Sequence, residues 1–523
     1  MLLILFLLLA FAQSARADKY DPQNYPPYID TITIDNTNLP VVYIDTRCGD
    51  TVTHAIHRDY RIAAHMKITL PPSTATVSGG SAAETTDYDG WIAIRYRGFT
   101  SFKYSPKKPY NFKTMKTSDP DGEKLKTELL GMPKDNTWVL IAPYDDSSLL
   151  RDVLMFQLAR PYFNYTPRCR YCELVVDGIY YGIYILAENI RKGKNRLDLD
   201  DPGTSGDELT GGYLLQVDRD DEPHFTSKYL AVDSIGNTYK ANNKIYLQYK
   251  HPDYEDLLPE QDNYIQQMFN KMEDALASPD FADPETGYRQ YLDPLSFIDQ
   301  QLSQEFSGNA DGYRLSTNIY KKRDSQDPRF KTTIWDFNVA FGNSGVANAK
   351  GTDFWRYQNS YLTSYSATNK VPFWWMRLME DTAYVHQLKA RWAEYRTGNY
   401  SQQYIMATID SITTLLEKDG ALIRNNIAWQ MPGDYYGEIN RIKQWICDRI
   451  AWMDNQLEYN PTAITGSLPS GRFGGGARYY ALNGTPLKHP LKTGITIVIL
   501  PDGTTRLSTP RTPRTSHLSP LTP

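Results

Sequence analysis

Residues 309–343 read NADGYRLSTNIYKKRDSQDPRFKTTIWDFNVAFGN, a stretch that concentrates polar side chains between apolar ones. Its two runs rich in β-branched and aromatic residues, 317–321 and 330–341, are separated by the polar segment RDSQDP. This order predicts a β-hairpin with a longer turn. Because side chains alternate along a strand, the second run would bury its aromatic rings on one face and present Asp336 on the other.

Two acids flank this predicted hairpin. Asp311 precedes the first strand, in a loop that contains Gly312, and Asp336 comes near the end of the second strand. A hairpin would bring the two carboxylates toward each other. One carboxylate before a hairpin and one after it suits a divalent metal and a general base.

A basic block precedes them in residues 90–113. Alternation sends Arg95 and Arg97 to the same side of one predicted strand, and Lys108 and Lys113 follow on the next. Four cations around a Gly-Phe-Thr-Ser turn can hold a polyphosphate. The alternative is that these side chains cover an exposed face of a sheet.

Residues 138–190 predict the order strand, helix, hairpin and exit from the sheet. The apolar stripe of the helix leaves Asp152 off its core face, either near a phosphate-binding cation or in a structural pair with Arg151. Asp177-Gly178 between two alternating strands favours a type I′ turn. The segment that begins at Glu188 then leaves the sheet.

The hairpin resembles the end of a protein-kinase active site, where a catalytic Asp precedes two strands and the metal-binding Asp of an Asp-Phe-Gly motif. Asn338 stands at the glycine position here. With the basic block and the 138–190 order, the chain more closely resembles the CotH family of spore-coat-type atypical kinases, in particular its secreted Bacteroidetes-like members. The resemblance spans roughly residues 39–457 and implies an α+β, kinase-like two-lobed fold. The β-rich N-lobe would span about 36–190 and the helical C-lobe about 191–460.

The resemblance also implies ATP and Mg²⁺ (or Mn²⁺) between the lobes. Asp311 would orient or deprotonate the acceptor hydroxyl, and Asp336 would hold the metal. Ser316, five positions after Asp311, and Asn318 are candidates for the second metal-binding position. The residues expected near the nucleotide are Arg97, Lys108, Lys113, Asp152 (as the partner of a phosphate-binding Lys) and Glu188 (in the hinge between lobes).

The amino terminus predicts export. Residues 1–17 have an apolar core and end in Ala-Arg-Ala, which is typical of a signal peptide. The kinase-like domain would then occupy residues 18–460, in a secreted or cell-surface protein. No later segment approaches about 18 uninterrupted apolar residues, so no membrane span is expected.

The composition changes at Pro461. Residues 461–523 contain a triglycine linker and alternating segments that predict a small C-terminal β module. This module resembles the C-terminal sorting domain of type IX secretion substrates. The alternative is a basic disordered tail.

The whole chain has 523 residues, a net charge of −5, and 41% hydrophobic and 13% aromatic residues. This composition excludes a disordered or fibrous protein and implies no nucleic-acid partner. The pairing of the cysteines stays open. The Cys-Arg-Tyr-Cys motif has no second Cys/His pair, which favours a structural role over a zinc or redox site. The four cysteines are Cys48, Cys169, Cys172 and Cys447.

The function expected from these observations is an atypical protein kinase that transfers the ATP γ-phosphate to a hydroxyl of a protein substrate. The alternative is a non-catalytic surface or matrix-binding protein that keeps the fold, with Asp311 and Asp336 as structural carboxylates or a Ca²⁺ site. A metal hydrolase has weaker support, because no His cluster or nucleophile motif accompanies the two acids. The phosphoacceptor and the oligomeric state do not follow from the sequence.

Overall fold

The computed structural model describes residues 27–71, 85–231, 244–345, 349–358, 371–431 and 434–460, and four short strands beyond them. The chain divides into two compact units, Met1–Glu458 and Tyr459–Pro523. The predicted signal peptide lies outside the described residues, as does most of the segment from 461 onward. No helix in the described part of the chain is long and apolar enough to cross a membrane.

The first half of the larger unit is a closed barrel with strand order β1-β2-β3-β4-β7-β9-β8. Inward-facing side chains such as Ile92, Ile94 and Phe112 form its core. The two remaining strands, β5 and β6, form a separate pair. The strands are β1 Val41–Asp45, β2 Ile62–Leu70, β3 Thr85–Tyr96, β4 Tyr110–Met115, β5 Thr127–Leu129, β6 Met132–Asp135, β7 Thr137–Ile141, β8 Cys169–Val176 and β9 Ile179–Glu188.

The mixed α+β class is confirmed, but the expectation of a kinase-like two-lobed fold needs correction. The N-terminal half is not an open lobe, since β1 pairs with β2 on one side and with β8 on the other. The second pairing is parallel and joins Val41 to Glu173. Such a long-range contact leaves no local pattern in the sequence, so the closure of the sheet was not predicted.

A second sheet has strand order β11-β12-β10-β13-β14. The predicted hairpin is present as β13 and β14, but its second strand ends at Thr333 and not at Phe341. The chain turns there, and Asp336 adopts a left-handed backbone with φ 65°. The strands are β10 Tyr213–Asp218, β11 His224–Leu230, β12 Lys244–His251, β13 Thr317–Lys321 and β14 Phe330–Thr333.

Helices fill the second half of the unit. The central one, α5, begins where the Asp293 side chain accepts a bond from the Leu295 amide (3.1 Å), with Pro294 at its first position. The helices are α1 Thr100–Tyr104, α2 Arg151–Ala159, α3 Gly206–Leu209, α4 Pro259–Ala277, α5 Pro294–Ser307, α6 Trp374–Leu378, α7 Thr382–Thr397, α8 Gln402–Glu417, α9 Ala421–Trp429 and α10 Tyr435–Gln456.

The smaller unit contains a four-stranded sheet with order β16-β15-β17-β18. Its strands are β15 Arg478–Ala481, β16 Pro486–Leu487, β17 Thr496–Ile499 and β18 Thr505–Ser508. The predicted triglycine linker lies outside the described residues.

All four cysteines are free thiols. Cys169 and Cys172 are buried along β8, and burial raises the pKa of Cys169 to about 11 and that of Cys172 to about 12. Buried thiols that hold their protons are poor metal ligands and poor nucleophiles. The geometry therefore agrees with a structural role for this motif.

Candidate active site in the cleft beside the barrel

A cleft of about 1190 Å³ is lined by the outer face of the barrel and by the second sheet. The barrel contributes Arg95 and Arg97, and the sheet contributes Asp218 from the end of β10. The loops that flank the hairpin contribute Asp311 and Asp336. Acids from three separate parts of the chain therefore meet cations from the barrel at one cleft.

Ser316 joins two of the acids. Its hydroxyl donates to Asp336 Oδ2 (3.2 Å), and its amide donates to Asp218 Oδ2 (3.1 Å). Ser316 lies immediately before β13 and has a positive φ of 49°. In this conformation its hydroxyl and its amide both reach acids at the cleft. Asn318 lines the same cleft and donates from Nδ2 to the Ser316 carbonyl (3.2 Å). Of the two predicted secondary metal-binding positions, Ser316 therefore contacts Asp336 directly and Asn318 contacts Ser316.

Asp336 is held by its backbone as well. Asn309 donates from Nδ2 to the Asp336 carbonyl (2.9 Å), and the amide of the next residue, Phe337, donates to Asp152 Oδ1 (2.7 Å). Burial raises the pKa of the Asp336 carboxyl to about 6, and the negative charges of Asp311 and Asp218 act in the same direction. The loop is thus fixed in a form in which the Asp336 carboxylate is buried and repelled by neighbouring acids.

Asp152 and Arg97 stand on the barrel side of Asp336. Burial, followed by repulsion from Asp336, raises the pKa of Asp152 to about 7. Arg97 stacks over the Trp335 ring, 5.3 Å from its centroid. Burial lowers the pKa of Arg97, while attraction to Asp336 and Asp152 opposes that shift. Arg97 is therefore a cation close enough to both carboxylates to be attracted by their charges.

Asp152 does not pair with its neighbour Arg151. Arg151 is fully buried and donates from Nε to the Ala340 carbonyl (2.8 Å), and it forms ion pairs with Asp146 and Glu438. The two residues that begin α2 thus both hold the segment after β14, one through Phe337 and the other through Ala340.

Asp311 is closer to solvent, with its side chain 28% exposed. Its amide donates to Asn309 Oδ1 (3.1 Å), and its carboxylate forms an ion pair with Arg314. The same Asn309 thus contacts the backbone of both Asp311 and Asp336. One asparagine at the end of α5 sets the relative position of the two acids.

Three of the predicted nucleotide-site residues lie elsewhere. Lys108 is buried and donates its ammonium to the Phe102 carbonyl, outside the residues that line the cleft. Glu188 is fully buried and accepts from Arg168 Nη2 (2.8 Å), while the residues after it reach the cleft. Lys113 lines the cleft but at its other end, near Arg191. Lys108 and Glu188 are therefore corrected to structural positions.

Asp218 was not singled out from the sequence. It ends a strand that reads YLLQVD, in which period two places Gln216 and Asp218 on one face. Gln216 donates from Nε2 to Asp218 Oδ2 (3.0 Å) and pairs with Asn318 across the sheet. The sequence feature that could have identified Asp218 is the pair of polar residues, Gln216 and Asp218, on one face of an otherwise apolar strand.

The donors suit a nucleotide-bound Mg²⁺. In the described part of the chain no group of three or more His, Cys, Asp or Glu side chains forms a complete metal site. Mg²⁺ in nucleotide sites uses one or two carboxylates, with phosphates and water as the other ligands. Asp336, Asp218 and Ser316 offer hard oxygen atoms, and a cation would relieve the repulsion that raises the pKa of Asp336.

Comparison with known proteins identifies the family of the chain. None of the curated proteins compared with the chain matches it. The family model described as CotH kinase protein matches residues 94–453, which include Arg97, Asp152, Asp218, Asp311 and Asp336. The match covers most of the chain, and the protein therefore belongs to the CotH kinase family.

Proposed function

We propose that this protein is a secreted atypical kinase that transfers the γ-phosphate of ATP to a hydroxyl of a protein substrate. The convergence of Asp218 and Asp336 on Ser316, with Arg97 beside them, carries the proposal. A metal-bound triphosphate needs oxygen ligands and a guanidinium within one cleft, and these residues supply both.

Each residue has a separate task in this proposal. Asp336 would hold Mg²⁺, and Asp218, which is linked to Asp336 through Ser316, would assist it. The metal would neutralise charge on the phosphates. Arg97 contacts phosphate oxygens. Asp311 accepts the proton of the acceptor hydroxyl, a role consistent with its exposed position at the cleft. Arg314 keeps that carboxylate oriented through their ion pair.

The protein's export rests on the 1–17 pattern alone. N-terminal sequencing of the protein recovered outside the cell should begin after Ala17. A sequence that begins at Met1 would remove the secretion part of the proposal and leave the chemistry untouched.

The second candidate is a non-catalytic binding protein that keeps this fold. The ion pair of Asp311 with Arg314 is the observation that favours it, because a carboxylate oxygen bound to a guanidinium is less available to an acceptor hydroxyl. Asn338 at the glycine position of the kinase motif points the same way.

Labelled ATP separates the two candidates. The purified protein, incubated with γ-labelled ATP and Mg²⁺ or Mn²⁺, should label itself or an added acceptor protein. Asp311→Asn should lower the rate by about 10²-fold or more, since it removes a general base without changing shape. Lys271→Gln, at an exposed position on α4, is the matched control and should label like the wild type. A wild type that labels neither itself nor the acceptor would favour the binding protein, and equal labelling by the wild type and by Asp311→Asn would remove the base role of Asp311.

A further inference from the structure

The far end of the cleft carries a row of cations across three barrel strands. Ile62 pairs with Ile94, so the register brings Arg61 beside Arg95, and Arg95 in turn pairs with Asn111 on β4. Arg61 reaches the Asn111 carbonyl (3.0 Å) and its Oδ1 (2.6 Å). Like charges opposite each other on neighbouring strands destabilise a sheet. This row is therefore an unfavourable arrangement in the ligand-free protein.

Lys113 extends the row along β4, on the same face as Asn111. Burial lowers the pKa of Lys113 to about 8, and repulsion from Arg61 and Lys124 adds to that shift. Among the described residues the buried Nε of Arg95 has no hydrogen-bond partner. A buried guanidinium nitrogen without an acceptor carries a desolvation penalty, which an anion bound there would remove.

The net charge of the side pocket at this end can be counted from its lining residues. The side pocket where these cations meet is lined by Arg61, Arg95, Lys113 and Lys124 and by two carboxylates, Asp59 and Asp121. Four positive and two negative groups leave a net charge of +2, which matches one phosphate dianion. Arg191, which also lines the cleft, is already paired with Asp135 (2.8 Å) and is not counted.

The lysines at this end lie away from the carboxylates around Asp336. Lys113 pairs with Ala93 on β3, and Ala93 is four residues before Arg97, which is about 13 Å along an extended chain. The groups that shift the pKa of Lys113 are Arg61, Lys124, Asp253 and Arg191, and the carboxylates around Asp336 are not among them. Arg95 lies nearer, two residues from Arg97, and its charge lowers the pKa of Arg97. A phosphate held by the lysines therefore lies apart from Asp336, with Arg95 between the two places.

We propose that Arg61, Arg95, Lys113 and Lys124 form a subsite for a phosphomonoester dianion, distinct from the phosphates bound at Asp336. The subsite goes beyond the proposed kinase reaction and does not depend on it. A phosphate there accepts from the unpartnered Arg95 Nε and is neutralised by the two lysines. Its source is either a free or small-molecule phosphate or a phosphorylated side chain of a protein that enters the cleft.

Calorimetric titration with inorganic phosphate, at ionic strength matched with chloride, tests the subsite. The wild type should bind, and the double variant Lys113→Gln/Lys124→Gln should bind at least about tenfold more weakly, because two charge-assisted contacts are lost. Lys271→Gln/Lys418→Gln removes the same two charges at exposed positions, is the charge-matched control, and should bind like the wild type. Arg95→Gln is the second test and should also weaken binding. Equal affinity in the wild type and in these variants would overturn the proposal.

Two further titrations test where the phosphate binds and which kind of molecule carries it. Arg97→Gln should keep phosphate binding, and loss of binding in this variant would overturn the proposal by placing the anion beside Asp336. A short peptide with one phosphoserine is compared with its unphosphorylated form and with inorganic phosphate. Tighter binding of the phosphopeptide than of phosphate would support the subsite and assign it to a phosphorylated protein. Equal binding would support the subsite and assign it to free or small-molecule phosphate.

Discussion

Single residues at the Asp336 end of the cleft show how its charges are arranged. Arg97 faces Asp336 and Asp152, whereas Asp311 pairs with Arg314 and Asp218 pairs with Arg219 (3.5 Å). The sequence pointed to Asp311, Asp336 and Arg97 because motifs and alternation are local. Asp218 could not be assigned from a motif, since its approach to Ser316 depends on how β10 lies beside β13. Lys108 lies before β4 begins at Tyr110, so strand alternation could not show where its side chain points.

Asp152 gives a pH prediction. Its pKa is about 7 in the folded protein and about 4 in an unfolded chain, so the folded state holds the proton between those values. Ligand-free stability should therefore fall as pH rises from about 4 to 7, and the loss is complete above pH 7. Asp152→Asn keeps an acceptor for the Phe337 amide and removes this titration.

Ligand-free urea unfolding at pH 5 and pH 8 measures the effect. At pH 8 the variant should be more stable than the wild type by roughly 1 to 3 kcal/mol, and at pH 5 the gap should shrink. Asp280→Asn, an exposed carboxylate change, is the control and should show no such gap. A variant less stable than the wild type at both pH values would show that the Asp152 charge stabilises the fold.

At the scale of elements, α5 and the loop after it set the geometry of the site. The Glu305 carboxylate accepts from Arg449 Nη2 (3.0 Å), from the Tyr313 hydroxyl (2.8 Å) and from the amides of Arg356 (2.8 Å) and Tyr357 (3.0 Å). Glu305 of α5 thus binds the loop that carries Asp311, through Tyr313, and also binds the 356–357 segment and α10. The buried polar contacts of this helix come from residues distant in sequence, which no local pattern indicates.

Gly308 ends α5 one residue before Asn309. Its φ is 55°, and a Cβ there would lie 2.6 Å from the Trp445 ring and 2.8 Å from an Arg356 nitrogen. Gly308→Ala should therefore destabilise the protein by about 1 to 3 kcal/mol in urea unfolding and reduce labelling by ATP. Gly345→Ala is the matched control, because its Cβ would meet nothing within 4 Å. Equal stability of the two variants would contradict this role for the end of α5.

At the scale of the whole molecule, the cleft belongs to a barrel and a five-stranded sheet that are each assembled from distant strands. The β-hairpins followed from the sequence because their partners are neighbours: Asp177 and Gly178 both have positive φ, as the predicted type I′ turn requires. The closure of the barrel through β1 and β8 did not. The two ends of the cleft, one acidic with Arg97 and one basic with Lys113, became apparent only when these sheets were in place.

The central claim is that Asp336 holds the metal of a bound nucleotide. Asp336→Asn removes one charge and keeps the shape of the side chain, and Asp311→Asn does the same at the proposed base. Thermal unfolding of the three proteins with and without ATP and Mg²⁺ tests the claim directly. ATP with Mg²⁺ should stabilise the wild type and Asp311→Asn by about 2.7 kcal/mol at a hundredfold excess over the dissociation constant. Asp336→Asn should lose most of that gain, and its ligand-free stability should be at least that of the wild type, because its carboxyl is buried and repelled by Asp311. An unchanged wild-type melting curve at millimolar ATP and Mg²⁺ would contradict the claim.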